Sequence, residues 1–516
     1  MNTLRGISSH IQVKMRLHRS ESFKTAASAW ARPLTVRFSS AYSQTLCPPG
    51  CRAGKGQIYN MNQDLTQGNP GTVLWKFTLP LFGSVIFQQI YNIADSVIAG
   101  KFVGEDALAA IGASYPITMI FMAVAIGANV GCSVVVSQLF GAKMIKEMKT
   151  AVSTTLLASV VLSLVLTAAG ILTSTLLLDV LQTPGNILAD AETYFSIYIA
   201  GFPFLFFYNV CTGIFTSLGD SRTPLWFLIG SSVLNIVLDI VFVTVFDWKV
   251  AGVAWATFIA QGLACILAFL VILLRLRRFR VDNYPKISLS MLKQISRIAV
   301  PSIIQNSFVS VGNIFVQGMV NRFGSSVIAG YSAAVKLNTF SVSAFTTFGN
   351  GMSSFTAQHI GARKVDRIRQ GFRSGILIAL SFAIPFVLAY LLFGDAAIRL
   401  FMKEQTKEAV EAGTQFLYTV APFYLLVGIK LVTDGVLRGA GAVRQFMATT
   451  FVDLLLRVLL AYILSGSLGP LGIWLSWPVG WIVSSILSLM FYRQGSWAML
   501  KGPADEREEA EGKTAK

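Results

Sequence analysis

The chain has 516 residues, of which 54% are hydrophobic and only 13% are charged, with a mean hydropathy of +0.62. Soluble globular proteins are about 45–50% apolar and about 25% charged, so this composition excludes an ordinary soluble domain. The net charge of +17 does not indicate nucleic-acid binding, because the Lys and Arg residues lie in short loops between apolar runs.

The first sixty residues differ from the rest of the chain. They contain nine Lys and Arg residues, one acidic residue (Glu21), many serines and no apolar run long enough to span a bilayer. Such a composition is typical of an organellar transit peptide, and also of a disordered leader ahead of a start at Met61. We favour the second interpretation and predict residues 1–70 as a basic, disordered leader.

A membrane-spanning helix needs about 20 apolar residues, and the sequence after the leader contains twelve such segments. Spans 1–6 of the first half are predicted at residues 73–100, 106–140, 150–178, 188–218, 223–246 and 250–275. Spans 7–12 of the second half are predicted at residues 294–320, 326–358, 369–398, 410–437, 443–465 and 471–492. Residues 495–516 are polar and charged and are predicted to form a disordered tail.

The two halves repeat one another at an offset of 220 residues, so that Gln138 and Gly141 recur as Gln358 and Gly361. The predicted domains are a first lobe at 71–278, a linker at 279–293 and a second lobe at 294–494. Lys and Arg are concentrated in the loops that are inside when the N-terminus is inside, which places both termini in the cytoplasm. Six spans per half make the repeats parallel, an arrangement in which solute carriers place the substrate path between the halves.

Ionisable side chains within the spans of the second half mostly have a neighbour of opposite charge. Each such group costs about 2.5–3.5 kcal/mol to insert into a bilayer. Lys430 and Asp434 are four residues apart on span 10, as are Asp453 and Arg457 on span 11, so each pair can meet on one helix face. We predict two neutralised structural pairs, with Lys336 on span 8 as an unpaired addition.

The first half carries Asp95 on span 1 and Asp239 on span 5, and has no deep basic residue to neutralise either. Asn235 lies four residues before Asp239 on the same helix face, and the helical rise places Thr257 of span 6 at the same depth. Two carboxylates, an amide and a hydroxyl form an oxygen-ligand site for a small cation. Alternatively, one carboxylate carries a proton, or Asn235 and Asp239 only hydrogen-bond neighbouring helices.

Further polar residues mark the same half. Gln88, Asn92 and Asp95 form a polar stripe on span 1. The amide of Asn209 on span 4 needs a partner in its apolar surroundings. Pro80 removes a backbone hydrogen bond within span 1, which predicts a kink that is either a packing device or a hinge.

Motifs of the common enzymes and primary pumps are absent from the sequence. It contains no phosphate-binding loop, no H-E-x-x-H and no G-x-S-x-G motif. We therefore predict neither an enzyme nor an ATP-driven pump, and expect no cofactor and no metal beyond a possible Na⁺ at the carboxylates.

Residues 91–96, 138–143, 218–224, 234–239 and 252–257 together resemble the multidrug and toxic compound extrusion (MATE) family, in particular its bacterial DinF/NorM-like branch. The likeness covers about residues 70–494. The resemblance implies an all-α membrane protein with 12 transmembrane helices, in which two six-helix lobes form a V.

The resemblance also implies roles for individual residues. The positions that match the family's first-lobe cation site are Asp95, Asn235, Asp239 and Thr257. The positions assigned to the substrate cavity are Gln88, Asn92 and Asn209, and Pro80 matches a proline at which bending is proposed. Span 7 has no acidic residue and Asp434 falls too late in span 10, so no cation site is expected in the second lobe.

The predicted function is secondary antiport in the cell membrane. Inward Na⁺ or H⁺ drives export of small organic compounds, often cationic, by a monomer. A second hypothesis is a flippase for lipid-linked precursors, which needs a groove with cationic residues for a pyrophosphate; Lys336, Lys430 and Arg457 would supply it. A passive channel is a third hypothesis, but it gives no role to the buried carboxylates of the first half.

Overall fold

The structure is a computed structural model that describes residues 64–98, 102–103, 105–180, 183–279, 281, 283–400 and 406–500. The secondary structure of these residues is helical throughout. The predictions made for residues 1–63 and 501–516 lie outside the described residues.

The first half consists of seven described helices. They are α1 (Pro70–Ile98), α2 (Glu105–Gly141), α3 (Ile145–Leu172), the short α4 (Ser174–Val180), α5 (Gly185–Ser217), α6 (Arg222–Thr244) and α7 (Lys249–Arg278). The second half also has seven described helices. They are α8 (Leu289–Val320), α9 (Ser325–Gly361), α10 (Val365–Leu400), α11 (Lys407–Val420), α12 (Tyr424–Gly439), α13 (Val443–Leu468) and α14 (Pro470–Gln494).

The predicted all-α membrane fold is confirmed. Within the described ranges, 11 helical segments are long and apolar enough to cross a membrane, with α11 and α12 counted as one segment. The remaining predicted span is the 37-residue helix α9. Helix α9 is rich in Ser and Thr and packs against α1, α2, α10, α11 and α12, so that many of these residues, such as Ser341, Thr347 and Thr356, are buried against protein.

Span 10 differs from its prediction as one helix over 410–437. It consists of α11 and α12, joined by a one-turn 3-10 helix at Ala421–Phe423. Pro422 has no N–H to donate, so the regular hydrogen-bond ladder is interrupted at this point. By contrast, α1 runs through Pro80 as one helix. A hinge at Pro80 stays a prediction.

The apolar cores follow the two halves, except that the start of one helix from each half packs into the core of the other half. Leu74 and Phe77, near the start of α1, belong to the core of the second half. Ile295 and Ile298, near the start of α8, belong to the core of the first half. The packing units therefore differ from the predicted lobes at these two helices, which connect the halves.

The halves meet at the end of the molecule that carries the turns after α2 and α9, which we call the closed end. A Cβ atom on Gly141 would lie 2.0 Å from the carbonyl oxygen of Gln358, and one on Gly361 would lie 1.9 Å from that of Gln138. No real Cβ contact is this short, so only glycine permits the approach. The repeated Gly is a packing residue of the interface between the halves.

The repeated glutamines cross the same interface. Nε2 of Gln138 donates to the carbonyl of Gly439 at 3.1 Å, and Nε2 of Gln358 donates to that of Ser217 at 2.8 Å. Each half thus caps the end of a helix in the other half, since these carbonyls lie at the ends of α12 and α5.

The turns that follow the two glycines are equivalent. Lys143 and Arg363 have φ values of 61° and 57°, which place both in the left-handed region. Each therefore ends its helix in the manner usually supplied by glycine or asparagine. Lys143 points its ammonium group at Asp64 at 2.6 Å.

The predicted leader ends earlier than expected, because residues 64–69 are ordered at the closed end. Leu65 is fully buried, and its N–H donates to Oε1 of Gln358 at 2.9 Å. Lys364 donates to the carbonyl of Thr66 at 3.2 Å, and Arg367 donates to that of Gly68. This segment therefore binds both halves across their interface.

The predicted tail also begins later than residue 495. Ser496–Met499 forms a one-turn 3-10 helix, and Trp497 is 2% exposed. Its ring stacks on Tyr492 with centroids 5.4 Å apart, and its indole N–H donates to the carbonyl of Tyr492 at 2.8 Å. Trp497 thus attaches this segment to the end of α14.

The first prediction concerns the close approach at Gly141. Gly141→Ala is expected to destabilise the protein by about 1–3 kcal/mol, because the methyl group overpacks the interface. Gly112→Ala in the same helix is the matched control, since a Cβ there meets nothing within 4 Å. Thermal unfolding in detergent measures both variants. An unchanged melting temperature for Gly141→Ala would contradict the close approach.

The second prediction concerns pH. Burial raises the pKa of Asp64, but the hydrogen bonds from Lys143 and Thr66 outweigh it and hold the pKa at about 2. A carboxyl whose pKa is lower in the folded state stabilises the protein above its ordinary pKa of 3.8, and this contribution is lost as the pH falls towards 2. Asp64→Asn should therefore lower the melting temperature equally at pH 7 and pH 5, and by less at pH 3.

The control for this variant is Asp366→Asn, because Asp366 is 91% exposed and its ion pair with Arg369 is long, at 3.8 Å. We expect no change in melting temperature for this control at any of the three pH values. A destabilisation by Asp64→Asn that is already lost at pH 5 would argue against the Lys143–Asp64 contact.

Candidate cation site and substrate cavity

The four residues predicted to bind a cation form one cluster in the first half, and two of them, Asn235 and Thr257, line a small recess. Packing of α1 against α6 and of α6 against α7 brings Asp95, Asn235, Asp239 and Thr257 together. Asp239 is fully buried and Asn235 is 2% exposed. These side chains lie far apart in the sequence, and it is the helix packing that makes them one cluster.

Asn235 is the centre of this cluster. With its amide nitrogen facing α6, Nδ2 donates to Oδ2 of Asp239 at 2.9 Å. Its oxygen then accepts from the hydroxyl of Thr257 at 3.2 Å and from the backbone N–H of Thr257 at 3.0 Å. This orientation satisfies both ends of the amide, which is the criterion by which amide orientations are assigned.

The two carboxyl groups lie within hydrogen-bonding reach of each other. Oδ1 of Asp95 and Oδ1 of Asp239 are both buried and have no hydrogen-bond partner among the described residues. Two negative charges this close in a buried site repel each other unless a cation or a proton lies between them. The residues therefore fit a small cation with oxygen ligands, such as Na⁺, or a shared proton.

Tyr91 also belongs to this recess, although the sequence analysis did not assign it. Its side chain lines the recess, and its hydroxyl lies within hydrogen-bonding reach of Thr257. The signal was present in the sequence, because Tyr91 lies four residues before Asp95 and hence on the same helix face. Gln261, four residues after Thr257, was missed in the same way and also lines the recess.

A much larger cavity of about 740 Å³ lies between the halves. Gln88, Leu228 and Gln261 line both this cavity and the small recess, so the two spaces adjoin. Asp95 and Asp239 are part of the lining of neither space.

Of the three residues assigned to the substrate cavity, two line it and one does not. Gln88 and Asn209 line the cavity, whereas Asn92 is exposed and is not part of its lining. Nδ2 of Asn209 donates to the carbonyl of Leu205 in its own helix at 2.9 Å. Asn129 and Thr212 also line the cavity and are joined by a 3.3 Å hydrogen bond, and the sequence analysis had not assigned either of them.

Both ion pairs of the second half form as the spacing of four predicts. Lys430 and Asp434 meet at 2.7 Å, and Asp453 and Arg457 meet at 3.0 Å. All four line the large cavity. Lys336 does not line it and is exposed on α9.

The sequence model of the MatE family matches residues 80–241 and 301–463 of the chain. The chain is 32% identical to the probable multidrug resistance protein YpnP of Bacillus subtilis, over 85% of this chain and 98% of that protein. It is 24% identical to an FAD transporter of Shewanella oneidensis, over 61% of this chain and 70% of that protein. A crystal structure of MATE in complex with MaD3S has the same fold, with a TM-score of 0.79, 24% identity and coverage of 86% and 99%.

The third prediction tests the contact between Asn235 and Asp239. Unfolding in SDS-containing mixed micelles should give an interaction energy of about 0.5–3 kcal/mol for Asn235→Ala combined with Asp239→Asn, because the two side chains share a hydrogen bond. Asn209→Ala combined with Asp239→Asn is the control, since Asn209 bonds within its own helix. Additive effects in the first pair would speak against the proposed orientation of the amide.

Proposed function

Because the chain belongs to the MatE family of membrane transporters, we propose that it exports small organic compounds across the cell membrane in exchange for Na⁺ or H⁺. The observation that carries the proposal is the pair of buried carboxyl groups of Asp95 and Asp239, each with an unpartnered oxygen. Asn235, which donates to Asp239, lines a recess that adjoins the large cavity.

The coupling cation occupies the recess and the exported compound occupies the cavity. Gln88, Leu228 and Gln261 line both spaces, so a rearrangement of these side chains at one site changes the other. A cation or proton between the carboxylates relieves their repulsion and stabilises the helix packing of α1, α6 and α7. Its loss favours a different arrangement of these helices, and exchange follows from this shift in population.

The closed end faces the cytoplasm in this proposal. The turns after α2 and α9 carry Lys143, Lys146, Arg363 and Lys364, and basic loops are retained on the cytoplasmic side of membrane proteins. The structure then represents a state that is closed towards the cytoplasm by Gly141, Gly361 and the segment 64–69. Transport requires this interface to open, whereas a passive channel has no need of an interface so closely packed.

A flippase for lipid-linked precursors is the second candidate, favoured by the cationic residues of the cavity. Lys430 and Arg457 line it, as the hypothesis requires, but each is paired with a carboxylate. Lys336, the third residue named for this role, lies outside the cavity lining. The carboxyl pair of Asp95 and Asp239 has no role in this candidate, and we therefore place it second.

The fourth prediction tests the coupling site. Efflux of a fluorescent substrate from vesicles with imposed Na⁺ or pH gradients should be lost in Asp95→Asn and in Asp239→Asn, because neither variant keeps the carboxylate pair. Asp395→Asn is the matched control, since Asp395 is 52% exposed in a surface ion pair with Arg399 and should transport normally.

Imposing the two gradients separately identifies the coupling ion. Undiminished gradient-driven efflux in both Asp95→Asn and Asp239→Asn would contradict the site. Absence of any gradient-driven efflux from the unmodified chain, together with rescue of a flippase-deficient strain, would favour the second candidate.

A further inference from the structure

The charged residues on the wall of the large cavity all belong to the second half. Among the described residues, those that line it are Lys430, Asp434, Arg438, Asp453 and Arg457, on α12 and α13. They comprise three cations and two carboxylates, an excess of one positive charge. The described lining residues of the first half are uncharged, since Asp95 and Asp239 are not among them.

Asp434 is fully occupied by its neighbours. Its Oδ2 pairs with Lys430 at 2.7 Å, and its Oδ1 accepts from Thr449 at 3.2 Å and from Ser488 at 2.6 Å. A carboxylate with both oxygens satisfied in this way has little capacity left for an organic cation. The Lys430–Asp434 pair is therefore a structural element of the wall.

Arg457 is held differently. Its Nη2 pairs with Oδ2 of Asp453 at 3.0 Å, and its guanidinium lies over the ring of Trp477 at 4.1 Å. The Nε–H of Arg457 and the indole N–H of Trp477 have no partner among the described residues. Both side chains are more than nine-tenths buried, at 7% and 6% exposed. Two buried N–H donors without acceptors are costly unless a ligand supplies the acceptor.

The position of Arg457 is defined by its partner. A Cβ on Gly480 would lie 2.6 Å from Oδ1 of Asp453, so this carboxylate is packed against the backbone of α14. Asp453 thus holds one edge of the guanidinium, and Trp477 holds its face. The Nε edge is the part of the group that remains for a ligand, in a geometry suited to planar carboxylate or phosphate oxygens.

A second cation, Arg438, has only neutral hydrogen-bond partners. It donates to Oδ1 of Asn350 at 2.7 Å and to Oγ of Ser353 at 3.3 Å, and it lies over the ring of Phe446 at 5.4 Å. No carboxylate among the described residues forms an ion pair with it. Its charge accounts for the positive excess of the cavity.

We infer that the cavity recognises its compounds by an anionic group, a carboxylate or a phosphate, which binds the Nε edge of Arg457 and the indole N–H of Trp477. This inference rests on the proposed export function and names the substrate class of the same cavity. It differs from the organic cations expected from the sequence, because both carboxylates among the described lining residues already form ion pairs with a cation of the wall.

The remainder of the compound is aromatic or apolar. Trp477, Trp481, Tyr331 and Phe446 line the same side of the cavity. Aromatic rings stack well on such surfaces, and each buried ring contributes a large apolar area. An aromatic carboxylate or phosphate therefore fits the wall, with its anionic group at Arg457 and Trp477 and its ring against the aromatic side chains.

The test measures equilibrium binding to the purified full chain without any gradient. The probes are carboxyfluorescein, which is anionic, and rhodamine 6G, which is a cation with the same ring system. In Asp453→Asn/Arg457→Gln, which removes the pair without changing the net charge, we expect carboxyfluorescein to bind about tenfold more weakly and rhodamine 6G to bind unchanged.

The matched control is Asp395→Asn/Arg399→Gln. It removes an Asp–Arg pair with the same spacing of four, which lies at the surface of α10 and outside the cavity lining. Binding of both dyes should be unaffected. If the cavity variant does not fold, Trp477→Phe keeps the ring and removes only the indole N–H, and carboxyfluorescein should then bind about threefold more weakly.

A parallel arm identifies the source of the anion. Nanodiscs that contain fluorescent phosphatidic acid are compared with nanodiscs that contain equally labelled phosphatidylcholine. Binding of either anion that depends on Arg457 supports the inference, and the one that binds shows whether the group comes from a soluble compound or a lipid. If the binding of neither anion depends on Arg457 or Trp477, the inference is overturned.

Failure of this inference is distinguishable from failure of the export function. Gradient-driven transport of rhodamine 6G without anion binding would leave export intact and overturn the anionic substrate class. Arg457-dependent anion binding without gradient-driven transport would support the subsite and contradict coupled export.

Discussion

A polar group inside a bilayer has no water to bind, so every such group must find its partner within the protein. In the second half, Lys430 pairs with Asp434 and Arg457 pairs with Asp453, but the Nε–H of Arg457 and the indole N–H of Trp477 have no partner among the described residues. In the first half, the carboxyl groups of Asp95 and Asp239 lie together, and each has an oxygen without a hydrogen-bond partner among the described residues. Under the proposed function, a small cation or a proton supplies the missing partner.

The two halves differ in their charged residues but share a repeated backbone, which joins them at one interface. Gly141 and Gly361 allow the two halves to approach through backbone atoms, and the equivalent glutamines cross the interface in both directions. The halves are therefore joined symmetrically at the closed end, while the recess and the charged wall lie on opposite sides of one cavity. Under the proposed function, a change of occupancy in either half acts on this shared interface, as coupled transport requires.

The helical periodicity made parts of the site predictable and left others out. Asn235 and Asp239 lie on one face of one helix, so their contact follows from a spacing of four residues. The same rule applied to Asp95 and Thr257 points to Tyr91 and Gln261, which line the recess. The rule fails for Asn92. It lies on the same polar stripe of α1 as Gln88 and Asp95, but it is exposed, because the neighbouring helices cover only part of α1.

The sequence by itself determined the number and approximate limits of the apolar helices, the repeat and the local ion pairs, because these depend on composition and on spacings of a few residues. Only the tertiary structure decided which helices meet. It placed the starts of α1 and α8 in the opposite halves, ordered Leu65 and Trp497 beyond the predicted limits, and separated Asp95 and Asp239 from the cavity. Contacts between distant helices depend on the packing of whole surfaces, which no local pattern encodes.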